Sequence, residues 1–371
     1  MPPPAGRWIT GALYLTKCFF VFLLPSTASL PVLAQQSAYY ECPENYGATF
    51  TGLPEQTLCE LNPNFNCQMQ IGAGTQFPKS SLLGTSISGN VCIVGDFEVD
   101  ANFTFLDVTV KINLGVTIAV AGSRNGYSGG SSLSINNSKL FACNSLWKGI
   151  TLGFLSVIVT SNNSIIGDAE KAIFANVLAA LYIQKTTFNR NRVGIELETP
   201  FPSVFALGPR VLNFTANRFT CKAPLNGTID EITEAGVKLK NAYLYAFQAN
   251  VNGMNWFTDL RHGIISEGSF SHVGASYFRM ERIKRIGILM AEGSLTLSNS
   301  QFDHGEFYGI RIGLAKLVEI KNTRFTMSNT PSPERRIGIY IHEFGVNANI
   351  TISSIRFGVD LDGTTSTRRV K

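Results

Sequence analysis

Apolar residues recur at alternate positions in short runs along most of the chain. One element is two alternating apolar positions followed, five residues after the second, by a large apolar residue. It appears as Leu133-Ser-Ile135 with Leu140, Leu181-Tyr-Ile183 with Phe188, Leu212-Asn-Phe214 with Phe219, and Leu295-Thr-Leu297 with Phe302. Val318-Glu-Ile320 with Phe325 and Ile350-Thr-Ile352 with Phe357 continue the series, and weaker copies end at Ile165, Met254 and Phe278. A second element is Gly or Ala, an aliphatic residue, any residue, then often another apolar one. Its aliphatic positions are Ile150, Ile173, Ile195, Val237, Ile264, Ile288, Ile310 and Ile339. Period-two alternation predicts short strands with one buried face. Several such strands per repeat, with no helical stretch between them, bury that face only by stacking on neighbouring repeats.

The predicted fold is all-β: a single-stranded right-handed parallel β-helix, a solenoid with a small Cys-containing N-terminal cap. The Gly before each aliphatic residue suits a turn of positive φ or a close backbone approach. Phe188, Phe219, Phe278, Phe302, Phe325 and Phe357 are expected to form an inner aromatic ladder. An antiparallel sandwich is the rival, but it calls for Asn-Gly or Asp-Gly hairpin turns and would make the repeat accidental. The solenoid is placed at residues 90–363. About eleven coils at roughly 4.8 Å give a length on the order of 50 Å.

Residues 1–34 read as a secretory signal peptide: Arg7 and Lys17, the apolar run Cys18–Leu24, a break at Pro25, then Val32-Leu33-Ala34. The expected location is therefore secreted, extracellular or at the cell surface. Residues 35–89 form the Cys-rich cap segment, and 364–371 a short polar, basic tail. Six cysteines remain after the signal: Cys42, Cys59, Cys67, Cys92, Cys143 and Cys221. In an oxidising compartment they allow up to three disulfides, with the pairing open. Their spacings and the four His do not suit zinc. The net charge of +5 falls to +3 without Arg7 and Lys17. That excess does not point to nucleic acid. No transmembrane segment is expected in the mature chain, and a monomer is expected.

Val91-Cys-Ile-Val-Gly-Asp-Phe-Glu-Val-Asp100 and Leu133–Ile150, with its step Trp147-Lys-Gly-Ile150, resemble secreted bacterial right-handed β-helix proteins of the pectin-lyase-like superfamily. The resemblance spans roughly residues 90–360. It implies the fold and an extracellular setting. It implies no chemistry, because that superfamily holds lyases, hydrolases, adhesins and proteins of no known activity.

If the aliphatic positions point inward, an outer strip follows: Thr151, Phe174, Glu196, Lys238, Ile265, Leu289, Arg311 and Tyr340, with Glu198, Lys240, Glu267 and His342 beside it. A lyase would need acids for Ca²⁺ and a basic residue there, and a hydrolase clustered carboxylates. Neither pattern stands out, and the alternating signs suit ion pairing between coils. Arg282-Ile-Lys284 matches a tripeptide of polygalacturonases, but their Asn-Thr-Asp and Asp-Asp motifs are missing. Asp303-His304 and His342-Glu343 read as solvated turn residues. A base precedes the Gly or Ala in six coils, at Lys148, Lys171, Arg192, Arg261, Arg285 and Arg336. Stacked, they would form a positive edge for an acidic polysaccharide, two coils being close to one sugar-residue pair. Asn-x-Ser/Thr occurs at Asn102, Asn136, Asn162, Asn213, Asn226 and Asn349, read here as turn and ladder residues. The expected function is a secreted, non-catalytic structural or carbohydrate-binding module without cofactor. The alternative is a polysaccharide lyase or glycoside hydrolase acting on acidic polysaccharide, with Ca²⁺ if a lyase.

Overall fold

The structure, a computed structural model, describes residues 58–369 apart from 63, 124–128, 200–207, 229–230, 328–336, 343 and 362–363. The expected signal peptide, the first part of the cap, Cys42 and Arg336 lie outside the described residues.

The apolar alternation becomes strands, and strands of successive coils pair in parallel. A representative coil contributes Ala169–Ala175 to a first sheet, Ala180–Gln184 to a second and Thr186–Asn189 to a third. The next coil repeats this with Val193–Glu198, Arg210–Thr215 and Arg218–Thr220. In the first sheet Ile150, Ile173, Ile195, Val237, Ile264, Ile288, Ile310 and Ile339 fall in one register column. All eight are buried. Each such side chain contributes about 1.5–3 kcal/mol by leaving water, and stacking the coils is the only way this face is covered. The fold is a parallel β-helix.

The aromatic ladder lies in the third sheet with one change of membership. Its register column runs Ile166, Phe188, Phe219, Phe257, Met280, Phe302, Phe325 and Phe357. Phe257 belongs to it. Phe278 does not, because Phe278 pairs with Asn255, two positions earlier in the strand. Rings of Phe188, Phe219 and Phe257 stack nearly parallel, with centroids 4.6 and 4.7 Å apart.

The corner from second to third sheet explains why each strand begins where it does. A residue in the left-handed region turns the chain: Asn137, Lys185, Ala216, Tyr277, Asn299 and Asn322 all have φ between 45° and 56°. Asn is favoured there because its short side chain tolerates the conformation. The next residue points inward and is often polar: Ser138, Thr186, Asn217, Ser300 and Thr323 are all buried. Ser138, Asn217 and Ser300 accept from corner amides of the preceding coil, and Thr186 and Thr323 donate to carbonyls two residues earlier. Asn217 Oδ1 accepts from the Thr186 N–H at 3.2 Å, and Asn255 Oδ1 accepts from the Asn217 N–H at 3.0 Å.

Three boundaries differ from expectation. Parallel pairing begins before residue 90, since Met69–Ile71 pairs with Val91–Ile93. A three-residue strand is too short to show alternation. Thr364–Arg369 is a strand, antiparallel to Arg356–Leu361, where a plain tail was expected. The cysteines also pair beyond the cap segment. Cys67 joins Cys92, and Cys59 joins Cys143, well inside the solenoid. Cys221, expected among the disulfide candidates, is a buried free thiol that donates to the Ala223 carbonyl and accepts from the Thr233 N–H. No helix among the described residues is long and apolar enough to cross a membrane.

Candidate functional site

The outer strip of the first sheet has the expected register: Phe174, Glu196, Lys238, Ile265, Leu289, Arg311 and Tyr340 align coil to coil. Its charges are engaged. Lys171 Nζ lies 2.9 Å from Glu196 and 4.4 Å from the Phe174 ring centroid. Lys240 meets Glu198 at 2.6 Å, and Lys238 meets Glu234 at 3.6 Å. Arg311 sits over the Tyr308 ring, Tyr308 contacts Tyr340, and Tyr340 contacts His342. Such pairs on an exposed sheet hold its side chains in place and contribute little each.

The positive edge is broken in two ways. A register shift between Lys171 and Ile173 leaves Lys171 opposite Gly149, so it stands out of line with Lys148. Glu170 takes the place beside Lys148 and holds its Nζ at 3.0 Å. Arg192 reaches Glu231 at 3.3 Å, and the Glu234 N–H bonds the Arg192 carbonyl. From Lys148 to Arg261 the edge therefore alternates in sign. Arg261 and Arg285 follow in adjacent coils, beside His262.

Two acid–base pairs occupy the corner from third to first sheet. Arg282 grips Asp259 with Nε and Nη2 at 2.8 and 2.9 Å, and also contacts Glu281. Arg282 of the polygalacturonase-like tripeptide is thus held by acids of its own coil and the preceding one. Arg190 Nη1 lies 3.8 Å from Asp168, and both are buried. Burial pushes the Asp168 carboxyl up to about 7, opposed by Arg190 and by the Ala142 N–H. Arg190 also bonds Pro224 and Asn226, and Asn226 reaches back to the Ala142 carbonyl at 3.1 Å. The loop after Cys221 is thus strapped across earlier coils. Among the described residues no three His, Cys, Asp or Glu side chains converge as metal ligands.

The surface that stands out is on the second sheet. Tyr243–Ala246 carries Leu244 and Ala246 inward, so Tyr243 and Tyr245 project outward. Their rings are parallel within 5°, with centroids 5.8 Å apart. His272, opposite Tyr243 in the next coil, lies 5.2 Å from the Tyr245 ring. Gly274 stands opposite Tyr245, and a Cβ there would come 2.8 Å from the Phe247 ring and 3.0 Å from His272 Nε2. Any larger residue at that point would have to displace the rings. Gln248 fixes the chain beyond Phe247, donating its Nε2 to the Phe214 carbonyl and its backbone N–H to Ser276 Oγ. Tyr245 is 49% exposed and Phe247 54%. Leu212 and Tyr182 extend the apolar surface over the two preceding coils.

The chemistry of this face is that of contact. Burial, then the neighbouring Tyr243, raises the Tyr245 hydroxyl, which keeps its proton. Burial lowers His272, so the imidazole is neutral at pH 7 and offers one donor and one acceptor. Exposed aromatic faces with polar tips bind ligands that present C–H surface and hydroxyls together. Sequence reasoning had not singled out these residues. Their signal was Tyr243-Leu-Tyr245-Ala-Phe247, which puts aromatics in the phase of a strand where polar residues are usual. Compared with known proteins, the chain matches no family model, no curated protein and no solved structure.

Proposed function

We propose that the protein is an extracellular, non-catalytic β-helix of the pectin-lyase-like kind that holds a saccharide chain against its second sheet. The observation that carries this reading is the parallel, solvent-facing pair Tyr243 and Tyr245 with neutral His272 beside it. Aromatic faces carry partial negative charge and attract the C–H faces of sugar rings, while the hydroxyls and imidazole bond sugar hydroxyls. The four residues Tyr243, Tyr245, Phe247 and His272 bear no formal charge at pH 7, which suits an uncharged stretch of polysaccharide. The two disulfides fit an oxidising compartment.

Affinity electrophoresis of the whole protein in gels containing neutral β-glucan or xylan tests this. Retardation is expected, with Tyr243→Ala/Tyr245→Ala at least tenfold weaker and an unchanged unfolding curve. Equal mobility with and without polysaccharide would remove the reading. Incubation with pectate, alginate and chondroitin, with and without Ca²⁺, should yield neither absorbance near 235 nm nor new reducing ends; turnover would favour the enzyme alternative.

A further inference from the structure

We infer that the last rung of the second sheet is a docking edge for an extended segment of another protein, one that carries aliphatic side chains at two alternate positions and no charge. The site lies at the C-terminal end of the solenoid. The register Tyr245, Gly274, Thr296, Glu319, Thr351 puts it four coils from the tyrosine face. It is independent of the saccharide reading and takes a ligand of different chemistry.

The dry interior ends there with its last residues uncovered. Inward positions of the second sheet run Leu295, Val318 and Ile350 in one column and Leu297, Ile320 and Ile352 in the next. Leu295, Leu297, Val318 and Ile320 are buried, because a later coil covers each. Ile350 is only half-buried, and Ile352 is 41% exposed. A side chain at the same register position is dry in one coil and wet in the next, for want of one more rung. At the other end of this sheet the inward Ile87 is buried, so that end needs no cover.

The backbone at this edge is equally unfinished. Asn349–Ser353 pairs in parallel with Leu317–Lys321 on one side, and no described strand pairs with its other side. Its third-sheet continuation, Arg356–Leu361, is covered by Thr364–Arg369. One extra strand therefore lies over the third sheet, and the matching place over the second sheet is a step one strand deep. Exposed edges are ordinarily guarded by charge, proline or a bulge. Asn349-Ile-Thr-Ile-Ser353 has neither charge nor proline, and its pairing keeps one register from end to end. The first-sheet rung Ile337–Ile341 is also unpaired on that side among the described residues, but its inward Ile339 is buried.

The register fixes what fits. A strand in that step places alternate side chains over Ile350 and Ile352 and the residue between them beside Thr351. The first two must be aliphatic to close the core. The outward one must be uncharged, since Asn349, Thr351 and Ser353 offer it no countercharge. Ladder hydrogen bonds then supply affinity, and the alternate side chains supply selection. The rung Ser294-Leu-Thr-Leu-Ser298 shows the required alternation. A second folded copy does not offer such a strand. Its inner rungs are paired on both sides, and its own C-terminal end presents Thr364–Arg369 with Arg368 and Arg369. A free extended segment of another protein does.

The test is fluorescence anisotropy, with the whole protein titrated into a labelled peptide that copies Ser294–Ser298 and carries Gly-Ser at each end. A control peptide of the same composition has its two leucines adjacent, so that only one can face the core. The alternating peptide is expected to bind saturably, and the control at least tenfold more weakly. Ile352→Lys is expected to bind the alternating peptide at least tenfold more weakly, with an unchanged urea midpoint. Where that midpoint falls, hydrogen exchange of the parent decides: the peptide should slow amides within residues 349–353 at least tenfold and leave those of Ile337–Ile341 unchanged. Four results each overturn the proposal: no saturable binding, equal binding of the two peptides, undiminished binding by a folded Ile352→Lys, or no slowing at 349–353. A concentration-dependent dimer that Ile352→Lys abolishes would give the edge to a second copy and overturn it too. None of these bears on the tyrosine face, which is read with neutral polysaccharides.

Discussion

Gly194 lies directly against the ring of Phe219, which closes the same coil. A Cβ at Gly194 would come 2.7 Å from two ring carbons and 2.4 Å from the Gly236 carbonyl oxygen. Gly236 stands in the same relation to Phe257, Gly287 to Phe302 and Gly309 to Phe325. None of these four glycines has positive φ, so the demand is for space alone. Gly149, with φ 115°, is the column's exception. Gly194→Ala is therefore expected to cost about 1–3 kcal/mol through overpacking. The urea midpoint should fall, and Phe219→Leu in the same chain should recover part of the loss, because neighbouring sites are not additive.

Asn217 bonds on three sides: it accepts from the Thr186 N–H, donates to the Ile183 carbonyl at 2.9 Å, and its own N–H meets Asn255. Asn217→Ala strips partners from buried backbone groups, each worth about 1–3 kcal/mol when unsatisfied. Hydrogen exchange should show the Thr186 amide losing protection, with little change in the first sheet.

The Cys59–Cys143 disulfide closes an 84-residue separation and ties the Leu58–Leu61 helix to the third sheet. Beside it the Phe65 ring meets Phe141 edge-on at 5.7 Å and covers that outward-facing side chain. Cys59→Ser/Cys143→Ser should lower stability by about 2–5 kcal/mol. Limited proteolysis should then cut first between residues 58 and 67, ahead of any cut in the later coils.

His262 is buried, and its Nδ1 has no hydrogen-bond partner. Burial first, then Arg285 and Arg261, lowers it from 6.5 to about 3. A depressed histidine contributes stability above pH 6.5 that is lost as pH falls toward 3, by about 1.4 kcal/mol per pH unit at most. Asp168 runs the other way. Its raised value makes its contribution full below about pH 4 and lost as pH rises toward 7. The readout is thus the difference between parent and His262→Phe: the variant should lose less stability on acidification from pH 6.5 to 4, measured by urea midpoints. Identical pH profiles would show that His262 does not titrate in this way.

The first-sheet columns were legible because the pleat alternates strictly and each Ile or Val repeats one coil later. The same reasoning misplaced Lys171, since a register shift moves a residue sideways without changing its sequence spacing. It misplaced Phe278 because Met280 fills the ladder position two residues on and only tertiary register separates them. Cys221 could not be told from its disulfide-bonded counterparts, because pairing depends on where Cys59 and Cys67 land. The tyrosines were present as a pattern, Tyr243-Leu-Tyr245-Ala-Phe247. They became meaningful only when outward positions of different coils were brought together.

The strand Thr364–Arg369 runs against Arg356–Leu361 with six residue pairs, where the other strand pairings among the described residues are parallel. Stacked coils have an intrinsic hazard: an uncovered terminal rung is a template on which another molecule's rung can add in the same direction, without limit. Here the third-sheet rung has its amides and carbonyls consumed by a segment of opposite polarity. A like rung arriving there meets a strand of opposite polarity in place of the parallel template.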